Sequence, residues 1–148
     1  MTITVTVAGY QELSGDLKAL PEKIEKSVLL QMSQIAFDSA QEGIGRHNKT
    51  GAMFQALYNR QIEGGRQVGV DPDRAPYAAA VNFGARAHPI APKNKKALRW
   101  AVPGLGGFAF SMGHDHPGYI GDDFMGKAKD DALAQFQTVL DQALQESI

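Results

Sequence analysis

The strongest constraint on the fold is one long amphipathic segment, residues 21–43. Pro21 suits the first position of a helix, where its missing N–H costs nothing. Gly43 and Gly45 are typical of a helix end. Apolar and small side chains recur between them at spacings of three and four, as one face of a helix requires: Ile24, Val28, Met32, Ile35, Ala36 and Ser39. The pattern predicts a long helix with one buried face.

Short strands and turns are predicted on both sides of this helix. Residues 1–7 alternate Thr with Ile or Val, which is typical of a strand. A short helix is then predicted from the spacing of Leu13, Leu17 and Leu20. After the long helix we predict a hairpin in which strands 53–62 and 67–70 are joined by a turn. About two helical turns follow over 76–84.

The second half alternates apolar pieces with glycine and proline. Strands are predicted around Ile90, over 98–102 and over 108–112, because Pro or Gly bounds each piece. Segment 103–121 is dense in glycine, so we expect flexible loops there and near 44–52. Asp122 or Asp123 caps a last helix, whose predicted apolar face is Phe124, Ala128, Leu133, Phe136, Leu140 and Leu144.

These elements predict one α+β domain over residues 1–148. In it, a small antiparallel sheet packs against a long helix from the N-terminal half and a C-terminal helix. An antiparallel sheet commonly has one covered face, and these two helices can cover it.

Composition excludes several kinds of site. The 148 residues contain no cysteine, which excludes disulfides, zinc fingers, iron–sulfur centres and thiol nucleophiles. No apolar run approaches the roughly 20 residues that span a bilayer. No serine lies in a Gly-x-Ser-x-Gly turn, and the Asp pairs 71/73 and 122/123 lie where Asp is common for structural reasons. We predict no enzyme activity, no cofactor and no membrane association.

Histidine gives the one metal-like pattern in the sequence. His114 and His116 can point to the same side of a strand, a spacing that suits a divalent ion, with His88 elsewhere in the chain. Alternatively, His116 begins a His-Pro-Gly turn and both histidines face solvent. No third ligand at helical spacing supports the metal, so we predict no metal site.

The formal net charge of −1 conceals an uneven distribution. Residues 1–43 carry −3, residues 44–99 carry +7 and residues 100–148 carry −5. The basic run Lys93, Lys95 and Lys96, followed by Arg99 and an aromatic residue, can contact phosphates and stack on a base. Alternatively, the run is a solvated loop that leads into a strand with Trp100 in the core. A third possibility is contact with an acidic neighbouring subunit.

Five segments occur in an order that resembles a known family. Thr50-Gly51-Ala52-Met53 follows the long helix, and Tyr77-Ala78 leads to Val81-Asn82-Phe83-Gly84. His88-Pro89-Ile90-Ala91-Pro92-Lys93 then leads to Trp100, and His116-Pro117-Gly118 precedes Phe124-Met125 and a terminal helix. This order resembles the minor tail components of long-tailed bacteriophages and prophages, of the neck and tail-completion type, over roughly residues 10–145.

The resemblance implies a non-enzymatic structural subunit of the virion, which acts in tail completion or head–tail joining through ring-like oligomerisation. The implied partners are further copies of the chain and phage tail-tube, tail-terminator or head-connector proteins, with passive DNA contact in a lumen. The implied location is the tail or neck of the virion, and the host cytoplasm during assembly. In that setting we expect these residues to make contacts: Lys93, Lys95, Lys96, Arg99, Tyr77, Phe83, His116 and Tyr119. The alternative function is a nucleic-acid-binding module that uses the basic segment 93–99.

Overall fold

The computed structural model of this protein describes residues 3–5, 22–47, 51–104 and 106–146. Within these ranges the helices are α1 (Glu22–Gly45), α2 (Ala52–Ala56), α3 (Ala78–Phe83), α4 (Phe124–Ala134) and α5 (Phe136–Gln145). The strands are β1 (Ile3–Val5), β2 (Leu57–Ile62), β3 (Gly65–Val70), β4 (Gly84–Ala85), β5 (His88–Ile90), β6 (Leu98–Val102), β7 (Gly107–Ser111), β8 (His114–His116) and β9 (Tyr119–Ile120). The predicted α+β class is confirmed.

Helix α1 confirms the long helix predicted from the sequence. Glu22 and Glu25 lie in its first turn, where negative charge interacts favourably with the helix dipole. The side chains of its buried face recur at helical spacing and are Ile24, Val28, Met32, Ser33, Ala36, Ala40 and Ile44. This face contacts β2 and β3 as well as α4 and α5, so α1 organises the core. The short helix predicted around Leu13, Leu17 and Leu20 lies outside the described residues.

The sheet next to α1 has the antiparallel order β1-β3-β2. Val70 lies opposite both Ile3 and Leu57, which sets the register of the three strands. The predicted strand 53–62 is wrong in its first part, because residues 52–56 form α2. Gly51 has a φ of 77°, which turns the chain, and its carbonyl accepts a hydrogen bond from the Gln55 amide. The turn is also shorter than predicted, since Ile62 pairs with Gly65.

Helices α4 and α5 correct the prediction of a single last helix. The α-helical hydrogen-bond pattern is interrupted at Gln135. Its amide donates to the Ala132 carbonyl, three residues back, at 3.1 Å, which makes a tighter turn than that of an α-helix. Asp123 caps α4 as predicted, since its Oδ1 accepts a hydrogen bond from the Gly126 amide. The buried side chains of α4 and α5 are Phe124, Met125, Ala128, Ala132, Val139 and Ala143. The other residues of the predicted apolar face are half-buried at the border of the core: Leu133, Phe136, Leu140 and Leu144.

The remaining strands form one long two-stranded projection, which we call the arm (residues 84–104 and 106–120). Its outgoing strand is β4, β5 and β6, and its returning strand is β7, β8 and β9. Gly84 lies opposite Ile120 and His88 opposite His116, and Leu98 then lies opposite Ser111. The strands predicted around Ile90, over 98–102 and over 108–112 are confirmed, but they lie outside the β1-β3-β2 sheet. Strand β6 pairs with β7, and β5 pairs with β8, a strand that was not predicted.

A seven-residue loop interrupts the arm between β5 and β6. Residues 91–97 lie opposite only residues 112 and 113, so the outgoing strand carries a large insertion. Within the described ranges, none of the helices has the length and hydropathy of a membrane span.

Candidate interaction surface

The arm contributes nothing to the core. Among the described residues from 83 to 123, no side chain is buried. The exposed fraction is 67% for Phe110, 76% for Met112 and 91% for Ile120. An isolated two-stranded hairpin is only marginally stable in water, and clustered exposed apolar side chains mark interaction sites. The arm therefore has the properties of a segment that contacts another molecule.

The tip of the arm has two chemically different faces. Arg99 lies opposite Phe110, so these side chains share a face with Phe108, two residues earlier on β7. The Arg99 guanidinium carbon lies 3.5 Å from the Phe108 ring centroid, a cation–π contact. The opposite face carries Leu98, Trp100, Val102 and Ala109. An arginine set against exposed aromatic rings is typical of residues that contribute most to an interface.

The inserted loop presents the predicted basic residues to solvent. Lys93, Lys95 and Lys96 are exposed, and none forms an ion pair with any part of the chain that the structure describes. Residues 84–104 contain five basic residues and no acid. Trp100 beside this loop is 46% exposed, so the interpretation that places it in the core is wrong. Nucleic-acid binding by segment 93–99 stays a prediction.

Three histidines lie along the arm without forming a metal-binding cluster. The His88 and His116 rings stack with centroids 5.1 Å apart, and His114 meets the edge of Trp100. His116 accepts a hydrogen bond from the Gly118 amide through Nδ1 and is half-buried, whereas His114 is exposed. The described ranges contain no group of three His, Asp or Glu side chains placed to hold a metal ion.

The root of the arm is held to the body by close backbone contacts. The Asp122 amide donates to the Val81 carbonyl at 3.0 Å, and the Asp123 amide donates to the Asn82 carbonyl at 2.9 Å. The buried Asn82 side chain in turn accepts from the Met125 amide at the start of α4. A Cβ at Gly121 would overlap the Asn82 carbonyl oxygen, so a residue without a side chain is needed here. The arm thus leaves the body at a defined point between α3 and α4.

A polar cluster of His47, Asp122 and Tyr119 also joins the arm root to the end of α1. The Tyr119 hydroxyl donates to Asp122 Oδ1 at 2.5 Å, and His47 Nε2 contacts the other carboxylate oxygen. These hydrogen bonds, from Tyr119 first and then from His47, hold the pKa of the Asp122 carboxyl below its usual value. The carboxylate raises the pKa of the Tyr119 phenol, because it accepts the hydroxyl proton.

The cluster predicts a pH dependence of stability. A depressed Asp122 pKa stabilises the fold above the usual aspartate pKa of about 3.9 and less as the pH falls through the folded value. A raised Tyr119 pKa stabilises the fold below about pH 10, and this contribution is lost above it. Asp122→Asn should therefore melt slightly below the wild type at neutral pH, and the difference should close in acid.

Thermal melts of both proteins from acidic to neutral pH measure that difference. Asp73→Asn is the control, because Asp73 is exposed and lies in a turn remote in sequence from the cluster. A melting difference for Asp122→Asn that stays constant down to strongly acidic pH contradicts the assignment.

The structure separates the predicted contact residues into groups. Phe83 is exposed at the end of α3, beside the arm root where Tyr119 lies, whereas Tyr77 is exposed at the start of α3. The lysines and Arg99 lie on the outer part of the arm with Trp100. Sequence reasoning missed the contact candidates Phe108, Phe110, Met112 and Ile120. For Phe108, Phe110 and Met112 the signal is a stretch without charge, which the sequence alone cannot distinguish from a buried strand. Ile120 lies outside that stretch and has no such signal.

Comparisons of this chain with protein-family models, with curated proteins and with solved structures found no match.

Proposed function

We propose that this protein is a non-enzymatic structural subunit of a phage virion that acts in tail completion or head–tail joining through ring-like oligomerisation. The observation that carries the proposal is the arm, a long projection whose large apolar side chains stay exposed in the described part of its own chain. The resemblance of the ordered motifs to tail-completion proteins indicates which assembly the subunit joins, the neck or tail of a virion. The arm provides a surface for its contacts there.

Charge supports contact between copies of the chain. The described arm carries five basic residues and a single acid, Asp115. Segment 123–146, which contains α4 and α5, carries five acids and two lysines. All five acids, Asp123, Asp130, Asp131, Asp141 and Glu146, are exposed. A basic arm that meets the acidic helices of a neighbour gains electrostatic complementarity, which guides encounter and orientation.

The energetics favour a closed assembly over an isolated pair. Burying a large apolar side chain such as Phe108, Phe110 or Met112 contributes roughly 1.5–3 kcal/mol. Association itself costs about 4–15 kcal/mol in lost translational and rotational freedom. One arm contact therefore gives a weak dimer, whereas in a ring each subunit is held by two neighbours. We expect a monomer or weak oligomer in isolation and stable association during virion assembly.

Electron microscopy of particles made without this gene tests the proposal. We expect separate heads and tails, or tails of abnormal length, and restoration of joined particles when the wild-type gene is supplied in trans. Normal, infectious virions from the deletion would contradict the proposed function.

A further inference from the structure

The two outer edges of the arm tip differ in their protection against strand pairing. Strand β7 and the two residues after it, Gly107-Phe108-Ala109-Phe110-Ser111-Met112-Gly113, contain no charge and no proline. Strand β6 contains Arg99 and begins two residues after Lys96. Natural sheets protect exposed edges with lysine, proline or bulges, because unpaired backbone groups otherwise bind another strand. The outer edge of β7 has neither the lysine nor the proline.

We propose that the outer edge of β7 pairs with the outer edge of β6 in the next copy of the chain, so that neighbouring arms join into a continuous antiparallel sheet. The inference rests on the proposed self-association and adds a second contact, between arm tips, to the contact of basic arm residues with a neighbour's acidic helices. Because the two strands of each hairpin run in opposite directions, arms that point the same way bring β7 antiparallel to the neighbour's β6. The edge N–H and C=O groups then find partners, as in other cases of strand addition.

Charge argues against pairing through two β6 edges. In an antiparallel pair centred on β6, the Arg99 side chains of the two copies lie near one another, and neighbouring like charges destabilise a sheet. Pairing through two β7 edges avoids this clash, but it uses the unprotected edge of both copies and ends at a dimer. Pairing of β7 with β6 leaves one free edge of each type, so the contact repeats from copy to copy.

The chemistry of the exposed face favours the β7-to-β6 arrangement. Arg99 already covers the Phe108 ring of its own arm, and Phe110 on the same face is 67% exposed. Copies related by rotation present the same face on the same side. The neighbour's Arg99 keeps one side of its planar guanidinium against its own Phe108 and presents the other side to the face that holds Phe110. The uncharged β7 edge of one copy thus meets the β6 edge of the next copy, whose Arg99 contacts the aromatic side chains of β7.

Disulfide trapping between single-cysteine variants tests the pairing, because the natural chain has no cysteine. Ala109→Cys on β7 is mixed in turn with Leu98→Cys, Trp100→Cys or Val102→Cys on β6, all on the same face of the arm. Under mild oxidation, one of these mixtures should give a mixed disulfide dimer severalfold above the mixture of Ala109→Cys with Gln34→Cys. Gln34 is exposed on α1, outside the arm and the acidic helices, and reports random collision.

A second set of variants tests whether a charge on β7 suppresses the pairing, whatever the register between β7 and the neighbour's β6. In the Ala109→Cys background, Phe110→Lys should suppress the mixed disulfide, because it brings a like charge toward the neighbour's Arg99. Gln34→Lys adds the same charge on α1 and should leave the disulfide unchanged. Circular dichroism of each variant confirms that the body is folded, as expected because none of the changed residues is buried.

Two results overturn the proposed pairing. The first is a disulfide dimer from Ala109→Cys alone that no mixture exceeds, which indicates two-fold contact between β7 edges. The second is the absence of any mixed disulfide above the Gln34→Cys level. Lysine-reactive crosslinking of the wild type separates the possible failures. Crosslinked multimers without the mixed disulfide contradict the strand pairing but support self-association. Normal virions from the gene deletion contradict the proposed function itself.

Discussion

A protein whose arm is shortened to residues 84–90 and 114–120 is expected to fold normally and to leave heads and tails unjoined. Ile90 and His114 are opposite one another in the arm, so an Asn-Gly turn can join them directly. The excision removes the lysine loop and the aromatic tip, and none of the described residues that it removes is buried. We expect the free energy of unfolding to change by about 1 kcal/mol or less, because shortening a surface connection changes its closure entropy by only ~0.6 kcal/mol per twofold change in length.

Complementation of the gene deletion measures the effect on assembly. The shortened protein should give as few joined particles as no protein at all, although chemical denaturation shows a folded body. Replacing Phe108, Phe110 and Met112 together by serine should give the same result with the arm at full length. Leu30→Ser is the matched control, because Leu30 is an exposed apolar residue on α1, outside the arm. Normal particles with the shortened arm would show that the arm is not the assembly surface.

Phe124→Ala is expected to cause the largest loss of stability. Phe124 is 2% exposed, and its ring fills the space between α4 and α1. The two helices approach so closely that a Cβ at Gly43 would lie 2.6 Å from the Phe124 Cβ. Truncating a buried phenylalanine typically costs about 3–5 kcal/mol, because a cavity remains. Since domains of this kind are stable by about 5–15 kcal/mol, a large part of the total is lost.

Chemical denaturation gives this loss directly as a shift of the transition midpoint. Phe83→Ala is the matched control, because Phe83 is exposed at the end of α3 and its truncation should cost less than about 0.5 kcal/mol. A loss below about 1 kcal/mol for Phe124→Ala would mean that Phe124 is not a core residue.

Part of the candidate site could be predicted because its signals are local. The lysines at 93, 95 and 96 lie in a polar loop bounded by proline, so their exposure follows from composition. Phe108 and Phe110 were not predicted as contact residues, because alternating apolar residues indicate a strand but do not say what covers it. The exposure of Trp100 is another tertiary result, since an aromatic residue on a strand is more often buried.

The sequence by itself determined the elements that depend on neighbouring residues. Helix α1 follows from a run of apolar positions at helical spacing, and the cap of α4 at Asp123 follows from one side chain and the next turn. Tertiary structure alone decided that the paired strands of the arm stand outside the β1-β3-β2 sheet with exposed faces, and that His47 meets Asp122. The strands of the arm pair locally, but what covers them, and a contact between residues 75 positions apart, depend on three-dimensional packing that no local pattern encodes.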